Sequence, residues 1–279
     1  MKKVVVVRYS EIALKGMNRP YFENKLVFNI KDCLKKNNIK FSEIKKLRGR
    51  ILIYLNNREA NCLKNVFGIS SFSYAFETEL NIKSIEKIAL KITKNLGNKK
   101  TFKVNTRRSN KNFKFSSLDV NKLIGEVIRR KTKAKVKLEN PDLELGIEIY
   151  DKAYLFIGKV AGLGGLPVST EGRVLLLIED KNSLLAGFLV MKRGCSIIPI
   201  SFKNFNISLL RKFSYGFSLR LIKINKIKEI DEIASKQNIK VLVVGQILNN
   251  FKELDLKIPI LRPLIGYNQK EINRLLYRF

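Results

Sequence analysis

Apolar residues along the chain follow two periods, alternating or continuous runs that suit strands and three-to-four spacing that suits helices. Residues 3–9 (KVVVVRY) are β-branched and predict a strand. Asn18 and Pro20 then supply the N-cap and early proline of a helix running to about Asn37. The segment between, residues 10–17, reads as a loop with a basic end. Residues 50–55 (RILIYL) predict a second strand, residues 61–67 a short helix and residues 71–77 a third strand, which together make a small α+β unit. Ile85, Ile88, Ala89, Ile92 and Leu96 share one face of a helix over 82–96, and residues 101–106 (TFKVNT) alternate as a strand does. Ser116 with Asp119 approximates a capping box for a helix through about Thr132. Asn140-Pro141-Asp142 turns the chain into a hairpin of residues 143–150 and 154–160.

The pattern changes at Gly162. Gly162, Gly164 and Gly165 read as a hinge and not as a phosphate cradle, because they precede a strand instead of following it. Residues 174–178 (VLLLI) are apolar at every position, as a strand buried on both faces requires, and residues 184–192 form a mostly apolar helix closed by Gly194. Strands at 173–178, 196–202, 219–225 and 241–245 alternate with helices near 184–193, 207–213 and 227–237, and the chain ends during a further helix. That order implies a parallel sheet with crossover helices. In such a β-loop-α unit, glycine N–H groups and the helix N-terminus hold a phosphate. Here the loop is Glu179-Asp180-Lys181-Asn182-Ser183, with two carboxylates and no glycine, so a phosphate meets repulsion. Adjacent loop carboxylates such as Glu179 and Asp180 could hold Mg²⁺ but are more often solvated, and no metal site is assigned.

Composition adds a partner. The 279 residues, 45% apolar and 28% charged, suit a folded chain of two or three domains. Lys and Arg total 55 against 24 Asp and Glu, a net charge of +31 spread along the whole chain, which points to a polyanion. The abundance of Lys, Ile and Asn also indicates a compositional bias that raises lysine by itself. No apolar run approaches the ~20 residues of a membrane span, and Met1-Lys2-Lys3 leads into a strand and not a signal peptide, so a cytoplasmic location is expected. Cys33, Cys62 and Cys195 lack zinc or disulfide spacing and read as reduced and structural. The absence of histidine removes the commonest general base and metal ligand, and no catalytic residue is assigned. Residues 107–115 (RRSNKNFKF) interleave cations with aromatics: Arg and Lys suit phosphates and Phe suits unpaired bases, the alternative being a solvated hairpin end.

Three stretches resemble one family, the tRNA 4-thiouridine synthetases or tRNA sulfurtransferases. Residues 7–23 (VRYSEIALKGMNRPYFE) are similar to its opening signature R-x-G-E-I-x-L-K-G-x-N-R-x-x-F, with Ser10 in place of glycine. Residues 101–125 resemble its THUMP core; GLGGLPVSTEGRVLLL, AGFLVMKRG and PILRPLIG resemble its joint, first PP-loop helix and a late strand. The resemblance implies a ferredoxin-like domain over 1–60, a THUMP domain over 61–165 and a shortened Rossmann-like, parallel-sheet PP-loop domain over 166–279, α+β followed by α/β. It implies tRNA as partner, gripped at the acceptor end, with Lys15, Arg19, Lys103, Arg107, Arg108, Lys111, Phe113 and Lys114 as the RNA-binding candidates. Leu177, Ile178, Ser183, Ser201, Phe202 and Gly245 fall in the family's nucleotide region.

The departures concern its chemistry. Of the family's S-G-G-x-D-S loop, one residue longer, only Ser183 survives, and Asn182 stands where its aspartate would be. The strand at 219–225 and the helix after it leave no room for the family's segment bearing a nucleotide-contacting lysine, and after Gly245 the chain goes straight to Gln246 where the family reads G-E-S-L-G-Q. None of the three cysteines matches the family's sulfur-handling one. The expectation is a tRNA-binding protein without a cofactor, its last domain kept for association with a second copy or a separate catalytic subunit. The alternative is an ATP- and Mg-dependent tRNA sulfurtransferase completed by another subunit.

Overall fold

A computed structural model describes residues 2–56 and 59–278. In chain order the elements up to Ala161 are β1 (Lys2–Arg8), α1 (Arg19–Lys36), β2 (Phe41–Leu47), β3 (Arg50–Leu55), β4 (Ser71–Thr78), α2 (Ile82–Thr93), β5 (Thr101–Arg108), α3 (Ser117–Thr132), β6 (Lys135–Val136), β7 (Leu143–Ile149), β8 (Ala153–Ile157) and β9 (Val160–Ala161). Then follow β10 (Arg173–Leu177), α4 (Lys181–Lys192), β11 (Ser196–Ser201), α5 (Ser208–Arg211), β12 (Ile222–Lys223), α6 (Glu229–Lys236), β13 (Leu242–Val243), β14 (Ile260–Leu261) and α7 (Gln269–Arg278). They form two compact units, which cut across the three contiguous stretches expected. One collects β1, the β2–β3 hairpin and Ser71–Ala161; the other collects Tyr9–Asn38, Ala60–Ser70 and everything from Gly162 on.

The first unit is a nine-stranded sheet in the order β2-β3-β1-β4-β8-β7-β5-β6, with β9 paired to β4. Its central ladder is antiparallel and joins β1 to β4 over seven residues, from Lys2 opposite Glu77 to Arg8 opposite Ser71. The amphipathic faces of α2 and α3 bury Ile85, Ile88, Ile124 and Ile128 against Phe102, Leu145 and Ile147. On another part of the sheet Val4, Val6, Leu52, Tyr54, Ala75 and Tyr154 form a separate cluster. The Ser116–Asp119 capping box forms as predicted. Strand β2, FSEIKKL, is absent from the sequence reading because it is an edge strand, half-buried at most, whose charged residues mask its alternation.

Across that sheet lies a buried ion triad. Glu148 on β7, 4% exposed, accepts from Arg8 Nε at 2.8 Å and from Arg50 Nε at 2.6 Å, while Arg8 Nη1 donates to Ser73 Oγ at 3.0 Å. Burial pushes the Glu148 carboxyl up, but the bond from Arg50 and the charges of both arginines outweigh it and hold the group below the usual carboxylate range.

The second unit is a five-stranded sheet, β12-β11-β10-β13-β14, parallel throughout. Alternate residues of β10 feed two cores. Val174 and Leu176 pack with α4, α5 and α7, and Leu175 and Leu177 pack with α6. Continuous hydrophobicity in β10 is therefore a consequence of helices on both faces. Two strands are shorter than predicted: 219–225 yields only Ile222–Lys223 and 241–245 only Leu242–Val243. Residues 10–17, predicted as loop, contain two short 3₁₀ turns, and the Asn18 side chain makes no capping bond, so Pro20 alone marks the start of α1.

Helix α1 belongs to this unit. Asn29 Nδ2 donates to Val168 O at 3.2 Å, Gly216 N donates to Asp32 Oδ2 at 2.7 Å, and Lys36 Nζ donates to Ser214 O at 3.1 Å. The hinge reading of the glycine joint is corrected here. Gly162 N donates to Ser70 O at 3.0 Å, Gly164 N donates to Ile69 O and Gly68 N to Gly164 O, both at 2.8 Å, and a Cβ on Gly165 would overlap Lys192 O. Gly162 and Gly165 permit close backbone packing and Gly164 a left-handed turn at φ 65°; the segment is strapped by its backbone bonds.

Removing Glu148 strands two buried guanidinium groups. Glu148→Ala should therefore cost about 3–5 kcal/mol in urea unfolding. Because the folded carboxyl sits below its unfolded value, this contribution is complete above about pH 4.3 and is lost as pH falls through the lower folded value, so acid should destabilise the native protein more steeply than the variant. A loss under about 1 kcal/mol would contradict the assignment.

Candidate nucleotide loop and nucleic-acid interface

In the parallel sheet β10 is the first strand and lies at the centre, with β11 on one side and β13 on the other. Chains leaving the carboxyl ends of such strands diverge and open a crevice where open α/β sheets take ligands. The six residues of the predicted nucleotide region gather at this edge. Leu177 pairs with Ile200, Ile178 N donates to Ile200 O at 2.8 Å, and Ser201 Oγ donates to Ile178 O at 2.7 Å. Phe202 packs half-buried against the α6 side, and a Cβ on Gly245 would overlap the backbone of Ser183. Ser183 and Ser201 are buried at 1% and 2% exposure, their hydroxyls occupied by neighbouring protein groups.

The loop after β10 is closed by its own side chains. Asp180 is the N-cap of α4: its Oδ1 accepts from Ser183 N at 2.9 Å and from Ser183 Oγ at 3.0 Å. Ser183 Oγ accepts from Glu179 N at 3.1 Å and Asp180 N at 3.4 Å. Three of the N–H donors that a phosphate would need at a helix start thus have internal acceptors. Desolvation first, and the Asp180 charge second, push the Glu179 carboxyl above its usual range. Helix α4 begins at Lys181, a turn ahead of the apolar run that predicted it. The missed signal is D-x-x-S, a capping box of the kind read correctly at Ser116. Glu179 and Asp180 are the acids placed to meet a cation at this loop, and no group of three Cys, Asp or Glu suited to a metal occurs among the described residues. Gln246, where the family resemblance implies a longer segment, accepts from Arg262 Nε at 2.9 Å.

The nucleic-acid candidates divide between the units. Five gather at the carboxyl end of β5. Arg107, Lys111 and Lys114 are exposed and make no ion pair among the described residues. Arg108 is half-buried and holds the loop, its Nη1 donating to Phe113 O at 2.9 Å and Phe115 O at 3.1 Å. Phe113 and Phe115 meet edge to face at 5.7 Å and pack against the helix-covered core. Lys103, further back on β5, pairs with Glu144 at 3.1 Å. Lys15 and Arg19 lie in the other unit: Lys15 pairs with Glu171 at 3.1 Å and sits 4.4 Å from the Phe22 ring, and Arg19 pairs with Glu23 at 2.8 Å.

The mixed sheet with its two covering helices matches the model of an RNA-binding class of domain, the THUMP domain, and the strands before it match a companion domain. The ThiI ferredoxin-like domain matches residues 4–73 and the THUMP domain matches residues 79–158. A probable tRNA sulfurtransferase of Thermococcus kodakarensis is 33% identical over 98% of this chain and 86% of its own length, and one of Methanocaldococcus jannaschii is 32% identical over 98% and 87%. The chain belongs to the tRNA sulfurtransferase family, with a ferredoxin-like domain, a THUMP domain and a parallel-sheet domain. The alignment with the Thermococcus protein runs over 329 positions against 279 residues here, so dozens of that relative's positions have no counterpart in this chain. Among solved structures, PH1313 from Pyrococcus horikoshii superposes with a TM-score of 0.90 at 33% identity, covering 99% of both chains. A 4-thiouridine synthetase crystallised in complex with RNA and with ATP bound superposes at 0.82 with 28% identity, over 100% of this chain and 85% of that one.

The loop geometry can be probed by stability. Asp180→Ala removes the cap of α4 and should cost about 1 kcal/mol. Gly245→Ala forces a methyl into Ser183 and should cost roughly 1–3 kcal/mol, whereas Gly266→Ala, with open space around it, should be near neutral. Equal urea midpoints for the two glycine variants would show that the contact is not tight.

Proposed function

We propose that this chain is a tRNA-binding member of the tRNA sulfurtransferase family that grips the acceptor end through its THUMP unit and does not itself use ATP. The observation that carries the reading is the loop after β10, whose donors are spent on Asp180 and Ser183 and whose added charge is negative. Those residues do not fit a triphosphate, and no step is routed through one. The RNA half rests on the THUMP match, on the relative's complex with RNA, and on the net charge of +31. Arg107, Lys111 and Lys114 present charge to phosphates, while Arg108 and Phe113 hold the loop that displays them.

A second reading is an active ATP-dependent sulfurtransferase that makes 4-thiouridine in tRNA. It is favoured by the match to probable tRNA sulfurtransferases along nearly the whole chain, and it needs a separate subunit to supply the loop and the sulfur-bearing cysteine. Both readings take tRNA as substrate or ligand. They part at ATP.

Binding of a tRNA with a free 3′ end should lose about 10³-fold or more in affinity between 50 and 200 mM salt, as expected for ~6–10 phosphate contacts. Arg107→Ala with Lys111→Ala and Lys114→Ala should weaken that tRNA more than a blunt RNA duplex, by about 1 kcal/mol or more. Fluorescence anisotropy with both ligands reads the difference. Salt-insensitive binding, or equal losses on the two ligands, would overturn the assignment of these residues to the acceptor end.

A further inference from the structure

The basic residues at the carboxyl end of β5 have a counterpart at its other end. Helix α3 closes at Lys133, which takes the left-handed conformation with φ 63° and donates its N–H to Arg129 O at 2.9 Å. Ala134, 1% exposed, anchors the turn, and β6 then pairs with Thr101 and Phe102 as the last strand of the sheet. Lys135 N and Lys137 N donate to Lys100 O and Phe102 O at 3.1 and 2.9 Å, so these two side chains stand on one side of the edge, with Val136 and Leu138 on the other. Arg129, Arg130, Lys133 and Lys135 line a concave groove of about 420 Å³.

Ordinary structural reasons explain only part of this charge. The C-terminal end of a helix favours cations, which accounts for Arg129 and Arg130, and Glu126 pairs with them at 2.9 and 3.5 Å. Neither reason reaches Lys133, Lys135 or Lys137. They lie beyond the helix, are exposed, and make no ion pair among the described residues. The neighbouring carboxylate Asp142 accepts from Thr101 N and Oγ1, both at 2.7 Å, and of the three lysines only Lys137 is near enough for its charge to act on it, without forming an ion pair. Cations crowded in this way repel one another unless a polyanion neutralises them.

We propose that this groove is a second RNA contact, taking the phosphate backbone of a double-stranded segment. No aromatic side chain lines it, so it offers an unpaired base nothing to stack on, whereas lysines and arginines suit phosphates on a duplex read by shape. The eight residues of β5 separate it from Arg107 and Arg108 by roughly 23 Å, a span over which one tRNA arm presents both a duplex and a free end. The proposal rests on the reading that the chain binds tRNA, and it adds where the duplex lies.

The test uses the full chain with Lys133→Ala, Lys135→Ala and Lys137→Ala, and as a second variant Lys135→Glu with Lys137→Glu. The probes are a blunt RNA duplex of about 16 base pairs, a single-stranded oligonucleotide, and tRNA. Duplex affinity should fall at least about tenfold, the salt slope should shrink by about 2–3, and oligonucleotide affinity should hold. Native protein that does not bind the duplex, or variants that keep both affinity and slope, would overturn the groove. If the duplex result holds while tRNA fails to compete for it, the groove stands and the tRNA reading falls.

Discussion

A helix begins with backbone N–H groups that have no partner inside it, and something must accept from them. At the head of α4 the chain supplies the acceptors itself, through the Asp180 carboxylate and the Ser183 hydroxyl. In a nucleotide site of this topology the same donors are left for phosphate, with glycine letting the backbone approach. The proposed reading, that this chain does not use ATP, turns on an internal anion standing where an external one would, within strands built as such a site requires. β10 is buried on both faces and central, and Gly245 presses against the start of α4.

The other unit shows the same division between scaffold and exposed chemistry. Glu148 draws Arg8 from β1 and Arg50 from β3 onto β7, so strands from the ferredoxin-like and THUMP stretches share one buried carboxylate. A pair of this kind adds little as a net source of stability, since desolvation opposes it, but it is intolerant of losing one partner. Among the exposed cations of this unit, Arg107, Lys111 and Lys114 stand at one end of β5 and Lys133, Lys135 and Lys137 at the other, and these are the ones the proposed readings assign to RNA.

Much of this was legible in the sequence, for physical reasons. The all-apolar β10, the Ser116 capping box and the βα alternation after Gly162 depend on local pattern, and they formed where predicted. Strand β2 did not stand out because an edge strand needs only half its residues buried. The joint read as a hinge because glycine signals both freedom and close approach, and only the packing against Ile69 and Lys192 decides between them. The division into units was hidden because α1 packs with residues more than a hundred positions away, through Asn29, Asp32 and Lys36. For the candidate site, the residue types in the loop after β10 were visible; that Asp180 and Ser183 bond to each other was a capping signal passed over. Arg108 and Phe113 looked like ligand contacts from their chemistry, while their bonds and burial give them the task of holding the loop.

The most direct measurement is titration of the full chain with Mg-ATP by calorimetry, in the presence and absence of tRNA. Two carboxylates at the loop, one ~4 Å from a phosphate charge, would cost about 4 kcal/mol at an effective dielectric near 20, a loss of roughly a thousandfold in affinity. The account predicts no binding heat in either condition. A dissociation constant in the low micromolar range would contradict it, and would mean that the Asp180–Ser183 closure opens for the nucleotide.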